Sequence, residues 1–231
     1  MTIIAFDGRY LVADGASTVR SPRAKPIMNK YHVNKIVIPE FNWYDERSKV
    51  TIKAIAGTGT TKDIEDIIIE LLHAGRSGID MGDKMLSLQN LLDNRTNCQI
   101  VYVGLENKNG KQVPVANNLI RTGEMKLRRF KISGDFPAIA GAINDIPNWK
   151  LKEGWNNALD IVSLICTLKQ DGVAGMISRY DIQTGKLDHP KLIPAVRLNK
   201  MLAKFEKEEL EKLKDKYNKA REFVKNPVNS Y

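Results

Sequence analysis

Thr2-Ile-Ile-Ala-Phe-Asp-Gly8 and Tyr10-Leu-Val-Ala-Asp14 open the chain as two short runs rich in apolar and β-branched residues. Each reads as a strand, and Asp7-Gly8 between them is a hairpin signal. Asp14-Gly15 then begins a run to Pro26 that reads as turns and loop. Working outward, Val33 to Ile38 forms a further strand stopped by Pro39. Lys49 to Ala56 alternates as a strand and enters a Gly57-Thr58-Gly59-Thr60-Thr61 turn.

A helix follows that turn. Thr61 is a candidate cap, and Asp63 and Glu65 stand in the first turn, where carboxylates favour the helix dipole. Ile64, Ile67, Ile68, Leu71 and Leu72 share one face, with Gly75 and Gly78 as the stop. Met85 to Asn94 is a second helical stretch. Cys98 to Leu105 is a strand, Asn109-Gly110 its hairpin turn, and Gln112 to Val115 the start of the return. Short strands continue to Ile132. Ser133-Gly134-Asp135 opens a helix carrying Ile139, Ala142 and Ile143. Trp155 to Leu168 is another helix, and Gly172 to Ile182 a turn and strand with Thr184-Gly185 after it. Hairpins alternating with paired helices predict an α+β protein with antiparallel sheets, outside the strict alternation of a doubly wound fold.

The 231 residues suit one domain with an appended tail. The division falls at residues 2–194 for the domain and 195–231 for a C-terminal extension. There Leu210, Leu213, Tyr217, Ala220 and Val224 step by three and four, an amphipathic helix that packs on its own domain or on another subunit. The two cysteines, Cys98 and Cys166, have no metal-ligand spacing, and the histidines His32, His73 and His189 are scattered. No metal and no cofactor are expected. The net charge of +9 permits an acidic partner, but it is spread along the chain without interleaved aromatics, which argues against a nucleic-acid-binding module. No stretch is long and apolar enough to span a membrane. The first residues lack the pattern of a signal peptide. These features predict a cytoplasmic protein, of a cell or of a virus inside one.

The opening stretch, together with four later motifs in order, resembles proteasome β-type subunits, which are N-terminal nucleophile (Ntn) hydrolases. Those motifs are Val33-Asn-Lys35-Ile-Val, Ala54-Ile-Ala-Gly-Thr-Gly59-Thr-Thr-Lys-Asp63, Ile132-Ser133-Gly134-Asp135-Phe136 with Ala140-Gly-Ala, and Asp171-Gly-Val-Ala-Gly175 with the strand to Asp181. The likeness spans about residues 2–190 and is nearest to bacteriophage-encoded proteasome-like proteins and to the bacterial proteasome-like peptidase that works with an ATP-driven unfoldase. It implies a four-layer αββα sandwich of two antiparallel sheets, with the C-terminal amphipathic helix added.

The resemblance also implies roles. Thr2, exposed by removal of Met1, would be the nucleophile of a threonine-type peptidase that works through an acyl-enzyme, with its own freed amine as base. Lys35 would lower the effective pKa of the hydroxyl, and Asp14 would hold Lys35 charged. The Gly59 backbone N–H would donate to the oxyanion. Ser133 and Asp171 would hydrogen-bond the terminal amine. Read without the family, Lys35 is an exposed lysine at a strand end, Asp14 and Gly59 are turn residues, and Ser133 and Asp171 are turn or cap residues. The chain departs from the pattern at Ile3, where a second threonine is frequent, and at Val173, where a serine is usual. Gln170 is the aligned alternative to Asp171. A proteasome-like protein kept for assembly or partner binding is therefore the alternative function. The partners implied are a peptide or protein substrate, further copies of the chain in a ring or smaller homo-oligomer, and an unfoldase.

Overall fold

The computed structural model describes residues 2–19, 27–30, 33–46, 48–59, 61–79, 98–122, 124–129, 138–141, 157–168 and 176–194. The first seven strands are β1 (Ile3–Phe6), β2 (Tyr10–Ala13), β3 (Ser17–Val19), β4 (Ile27–Lys30), β5 (Ile36–Val37), β6 (Trp43–Asp45) and β7 (Val50–Gly59). Helix α1 (Thr61–Arg76) follows, then β8 (Cys98–Lys108), β9 (Lys111–Thr122), β10 (Glu124–Arg129) and β11 (Ala138–Gly141). Helix α2 (Ala158–Leu168), β12 (Ser178–Asp181) and β13 (Leu187–Asp188) complete the described elements.

Two antiparallel sheets dominate. One runs β11-β1-β2-β12-β13. The other runs β10-β9-β8-β7-β5, with β6 also paired to β7. The apolar alternation of the strands decides how they meet. Ile4, Phe6, Leu11, Ala13 and Tyr180 from the first sheet interlock with Ile36, Ala54, Ala56, Val101, Val103 and Ala116 from the second. The opposite face of the second sheet, with Ile52, Ile55, Ile100 and Tyr102, buries the Ile67, Ile68 and Leu71 stripe of α1. Helix α2 lies against β1 and β2. It is apolar nearly all round, with Ile161, Val162, Leu164 and Ile165 fully buried. Its start is capped by the Asn157 side chain, which accepts from the N–H groups of Leu159 and Asp160 at 2.9 and 3.2 Å. Asp7 Oδ2, from the β1–β2 turn, accepts from Ala158 N–H at 3.0 Å and fixes that helix end to the hairpin.

Several local expectations hold. Asn109-Gly110 turns with φ of 52° and 78°, the left-handed pair that a two-residue hairpin needs. Others change. The run after Gly15 contains a hairpin, β3 paired with β4. The stretch at Ala138–Gly141, read as helical, is strand β11, because β1 offers it an unpaired edge and its small residues permit close approach. Strand β7 extends through Gly57 and Thr58, so the turn begins later than its glycines suggest. Gly75 lies within α1 rather than ending it. The proposed helices at 85–94 and 196–225, and Trp155, lie outside the described residues.

Gly75 has a packing reason. A Cβ there would stand 2.5 Å from Trp43 Cε2 and 2.7 Å from Cδ2, in a ring that is 2 % exposed. Alanine would favour the helix by about 1 kcal/mol. Overpacking a rigid buried ring costs about 1–3 kcal/mol. Gly75→Ala should therefore lower stability by up to about 2 kcal/mol, read as a reduced urea midpoint at unchanged m-value.

Candidate active site

The site begins where β1 and β2 end together. Asp14 follows β2 directly, and its backbone N–H donates to Ile3 O at 3.2 Å. Its side chain turns back and is fully buried. Oδ1 accepts from Ile3 N–H at 2.9 Å, and Oδ2 accepts from Ala16 N–H at 3.2 Å. A buried carboxylate with only these neutral donors would be costly, and a cation completes the shell. Lys35 Nζ donates to Asp14 Oδ2 at 3.0 Å.

Lys35 arrives from the second sheet. Val33 N–H donates to Gly15 O at 2.9 Å, which ties the segment to the end of β2. The Asn34 side chain accepts from Ile36 N–H at 3.1 Å and turns the chain into β5. Between these two anchors the Lys35 side chain, 11 % exposed, points into the gap beside β1. Its ammonium also donates to Thr2 Oγ1 at 2.8 Å. Thr2 is itself buried. One ammonium thus links a hydroxyl to a carboxylate.

Opposing forces act on the carboxyl. Burial pushes the Asp14 carboxyl up from its ordinary value, opposed by the attraction of Lys35 and by the bonds from Ile3, Lys35 and Ala16. Cys166 on α2 shares this environment: burial and then the Asp14 charge drive its thiol well above its ordinary range, with Lys35 acting the other way. It stays a neutral, free thiol, the inert core cysteine expected from its apolar surroundings.

Of the residues singled out from sequence, the structure brings together Thr2, Asp14 and Lys35. Gly59 stands at the exposed end of β7 with φ of 133°, a conformation that favours glycine, opposite Cys98. The residue before it, Thr58, has its methyl 3.2 Å from where a Cβ on Gly141 would stand. Ser133 and Asp171, with Gln170 and Val173, lie outside the described residues. Gly141 was not foreseen. It pairs with Ile3 across β11 and β1, and a Cβ on it would stand 2.0 Å from Thr2 O. Its signal, a glycine closing a four-residue run of small and apolar residues, is legible only once β11 is known to be a strand. Among the described residues no cluster of His, Cys, Asp and Glu could hold a metal ion. Among them, too, no helix is long and apolar enough to cross a membrane.

Two facing antiparallel sheets, with Thr2 leading into the first strand and Lys35, just ahead of β5, at its hydroxyl, make a proteasome-like sandwich fold. Among solved structures the chain is similar to Anbu (ancestral beta-subunit) from Yersinia bercovieri. The TM-score is 0.50 and the identity 8 %, over 100 % of this chain and 98 % of that one. The likeness is one of fold. No protein-family model and no curated protein matches the chain.

The Asp14–Lys35 pair makes the site sensitive to pH in a defined direction. A raised folded-state value means that ionising Asp14 costs the fold some stability as pH rises from the unfolded-chain value through the folded one. Its carboxyl carbon resonance should titrate above the range of exposed aspartates. Asp14→Asn should remove that titration and, by leaving Lys35 without its counter-charge, destabilise the protein by about 3 kcal/mol, the lower end for a broken buried pair. Chemical denaturation of the two proteins at neutral pH measures the difference.

Proposed function

We propose that the chain is a threonine-type Ntn hydrolase that cleaves peptide bonds through an acyl-enzyme on Thr2, within a four-layer αββα sandwich. The observation that carries this reading is the Lys35 ammonium at 2.8 Å from Thr2 Oγ1. Threonine is a weak nucleophile at its ordinary pKa, and a fixed positive charge beside the oxygen stabilises developing alkoxide. Because Oγ1 accepts a hydrogen bond from Lys35, its own proton is free to go elsewhere. Removal of Met1 would supply the acceptor: the Thr2 α-amine, with an ordinary pKa of about 7.7–8.0, suits a general base near neutral pH.

The steps balance. Oγ1 attacks the substrate carbonyl carbon while its proton passes to the α-amine. The tetrahedral oxyanion is met by the Gly59 N–H. The C–N bond breaks, the leaving amine takes the proton from the α-ammonium, and an ester on Thr2 remains. Water, deprotonated by the same amine, attacks the ester carbonyl; the C–Oγ1 bond breaks, the α-ammonium returns its proton to Oγ1, and the carboxylic acid product leaves. Lys35 is held in place by Asp14. In this reading Ser133 and Asp171 position the amine, the substrate is a peptide or protein segment, the protein acts in the cytoplasm, and copies of the chain with an ATP-driven unfoldase control access.

A second reading has one observation in its favour. Thr2 is only 6 % exposed. A nucleophile so covered fits a proteasome-like protein that serves assembly or partner binding without turnover.

The two readings part on covalent chemistry. Incubation of the native protein with a threonine-directed epoxyketone or boronate, followed by intact-mass and peptide mass spectrometry, should show a chain beginning at Thr2 and modified there. Peptide turnover should fall by at least about 100-fold in Thr2→Ala and in Lys35→Ala. Retention of Met1 in the native protein, or turnover unchanged by Thr2→Ala, would exclude the hydrolase reading.

A further inference from the structure

We infer that Gly141 is the positioning residue of the site: its missing side chain sets where Thr2 stands relative to Lys35. The inference rests in part on the hydrolase reading, yet its geometry stands apart from it. Gly141 closes β11 and pairs with Ile3, one residue beyond Thr2. Its φ is 96°, a conformation that residues with a Cβ rarely adopt.

The space is closed as well. A Cβ on Gly141 would stand 2.0 Å from Thr2 O and 3.0 Å from Thr2 C. These are backbone atoms, so no rotamer change relieves the contact. On another side Thr58 Cγ2 stands 3.2 Å from the same point. A methyl group at this position is thus held between the nucleophile's own peptide and the residue before Gly59. The softer response is a shift of Thr2. Ile3, next along the chain, is anchored to Asp14 through both its N–H and its carbonyl. Displacement would therefore fall on Thr2 and its hydroxyl, away from the Lys35 ammonium.

Two other positive-φ glycines supply a control. Gly110 and Gly78 have φ of 78° and 68°, and a Cβ on either meets nothing within 4 Å. Alanine there imposes backbone strain without contact. A purely structural role for Gly141 predicts that all three substitutions act alike. A positioning role predicts that only Gly141→Ala disturbs Thr2.

The test compares Gly141→Ala, Gly110→Ala and the double variant Thr58→Ser/Gly141→Ala. Solved structures of each report the Thr2 Oγ1–Lys35 Nζ distance, a readout that needs no activity. It should open beyond 3.5 Å, about the limit of a hydrogen bond, in Gly141→Ala. It should stay as in the wild type in Gly110→Ala and recover in part in the double variant, where the Thr58 methyl no longer confines the alanine. In parallel, kcat for a peptide should fall about 100-fold in Gly141→Ala with KM little changed, since misplacement of about 1 Å can have that effect. Should Gly141→Ala fail to fold, the double variant carries both readouts. An unchanged Thr2–Lys35 distance in a folded variant bearing alanine at 141 overturns the inference. A lengthened distance in a protein whose wild type never reacts at Thr2 upholds it and removes the hydrolase reading instead.

Discussion

The buried carboxylate of Asp14 is the constraint on which the rest of the site depends. It cannot be left bare in an apolar interior, and three donors from three parts of the chain converge on it. Ile3 N–H comes from the first strand, Ala16 N–H from the bend after the second, and Lys35 Nζ from the other sheet. Satisfying one charge therefore fixes the start of β1, the exit of β2 and the approach to β5 together. The hydroxyl of Thr2 inherits its place from this arrangement, because the same ammonium that answers Asp14 also reaches Oγ1.

The packing around the carboxylate makes the arrangement stiff. Small side chains let the strands come close: Ala5, Ala13 and Ala140 are almost wholly buried, and Gly141 closes against the Thr2 peptide. Apolar interlocking between the sheets fills the space beneath, and α2 covers β1 and β2 from the other side. The hairpin turn is anchored by Asp7 to the start of α2, and Arg9 reaches Asp181 at 3.0 Å at the end of β12. Neither of those surface-side contacts touches the site. They hold the sheet on which it is built.

How far this was legible in the sequence depends on the range of the forces involved. Strands β1, β2, β7 and β8, helix α1 and the Asn109-Gly110 turn are written in local pattern, because alternation, amphipathic spacing and turn chemistry act within a few residues. Ala138–Gly141 was misread because four small and apolar residues carry no period of their own. Their conformation is set by the edge of a strand far earlier in the chain, β1, where Ile3 pairs with Gly141 and Phe6 with Ala138. Gly75 looked like a stop because glycine is a poor helix former, and only the Trp43 ring explains its presence inside α1. The convergence of Thr2, Asp14 and Lys35 was reached through resemblance. Nothing in the spacing of those residues requires it, since the contacts span 21 and 33 positions and depend on how one sheet lies over the other.

Energetics give the trio its meaning. A hydroxyl, an ammonium and a carboxylate sealed at the head of a strand are a poor way to stabilise a fold, because apolar groups of the same volume commonly do as well or better. Each charge here loses hydration, and the attraction between them returns that loss only because the geometry is tight and the remaining carboxylate lone pairs are met by backbone N–H groups. Such a group is well suited to chemistry, where a charge held in place in a low-dielectric site acts on a neighbouring oxygen without first having to reorganise solvent. The same argument explains why the steric fit at Gly141 matters. Electrostatic support from a fixed ammonium falls off when the oxygen moves, so the space that a side chain would fill is as much a part of the site as the lysine that faces it.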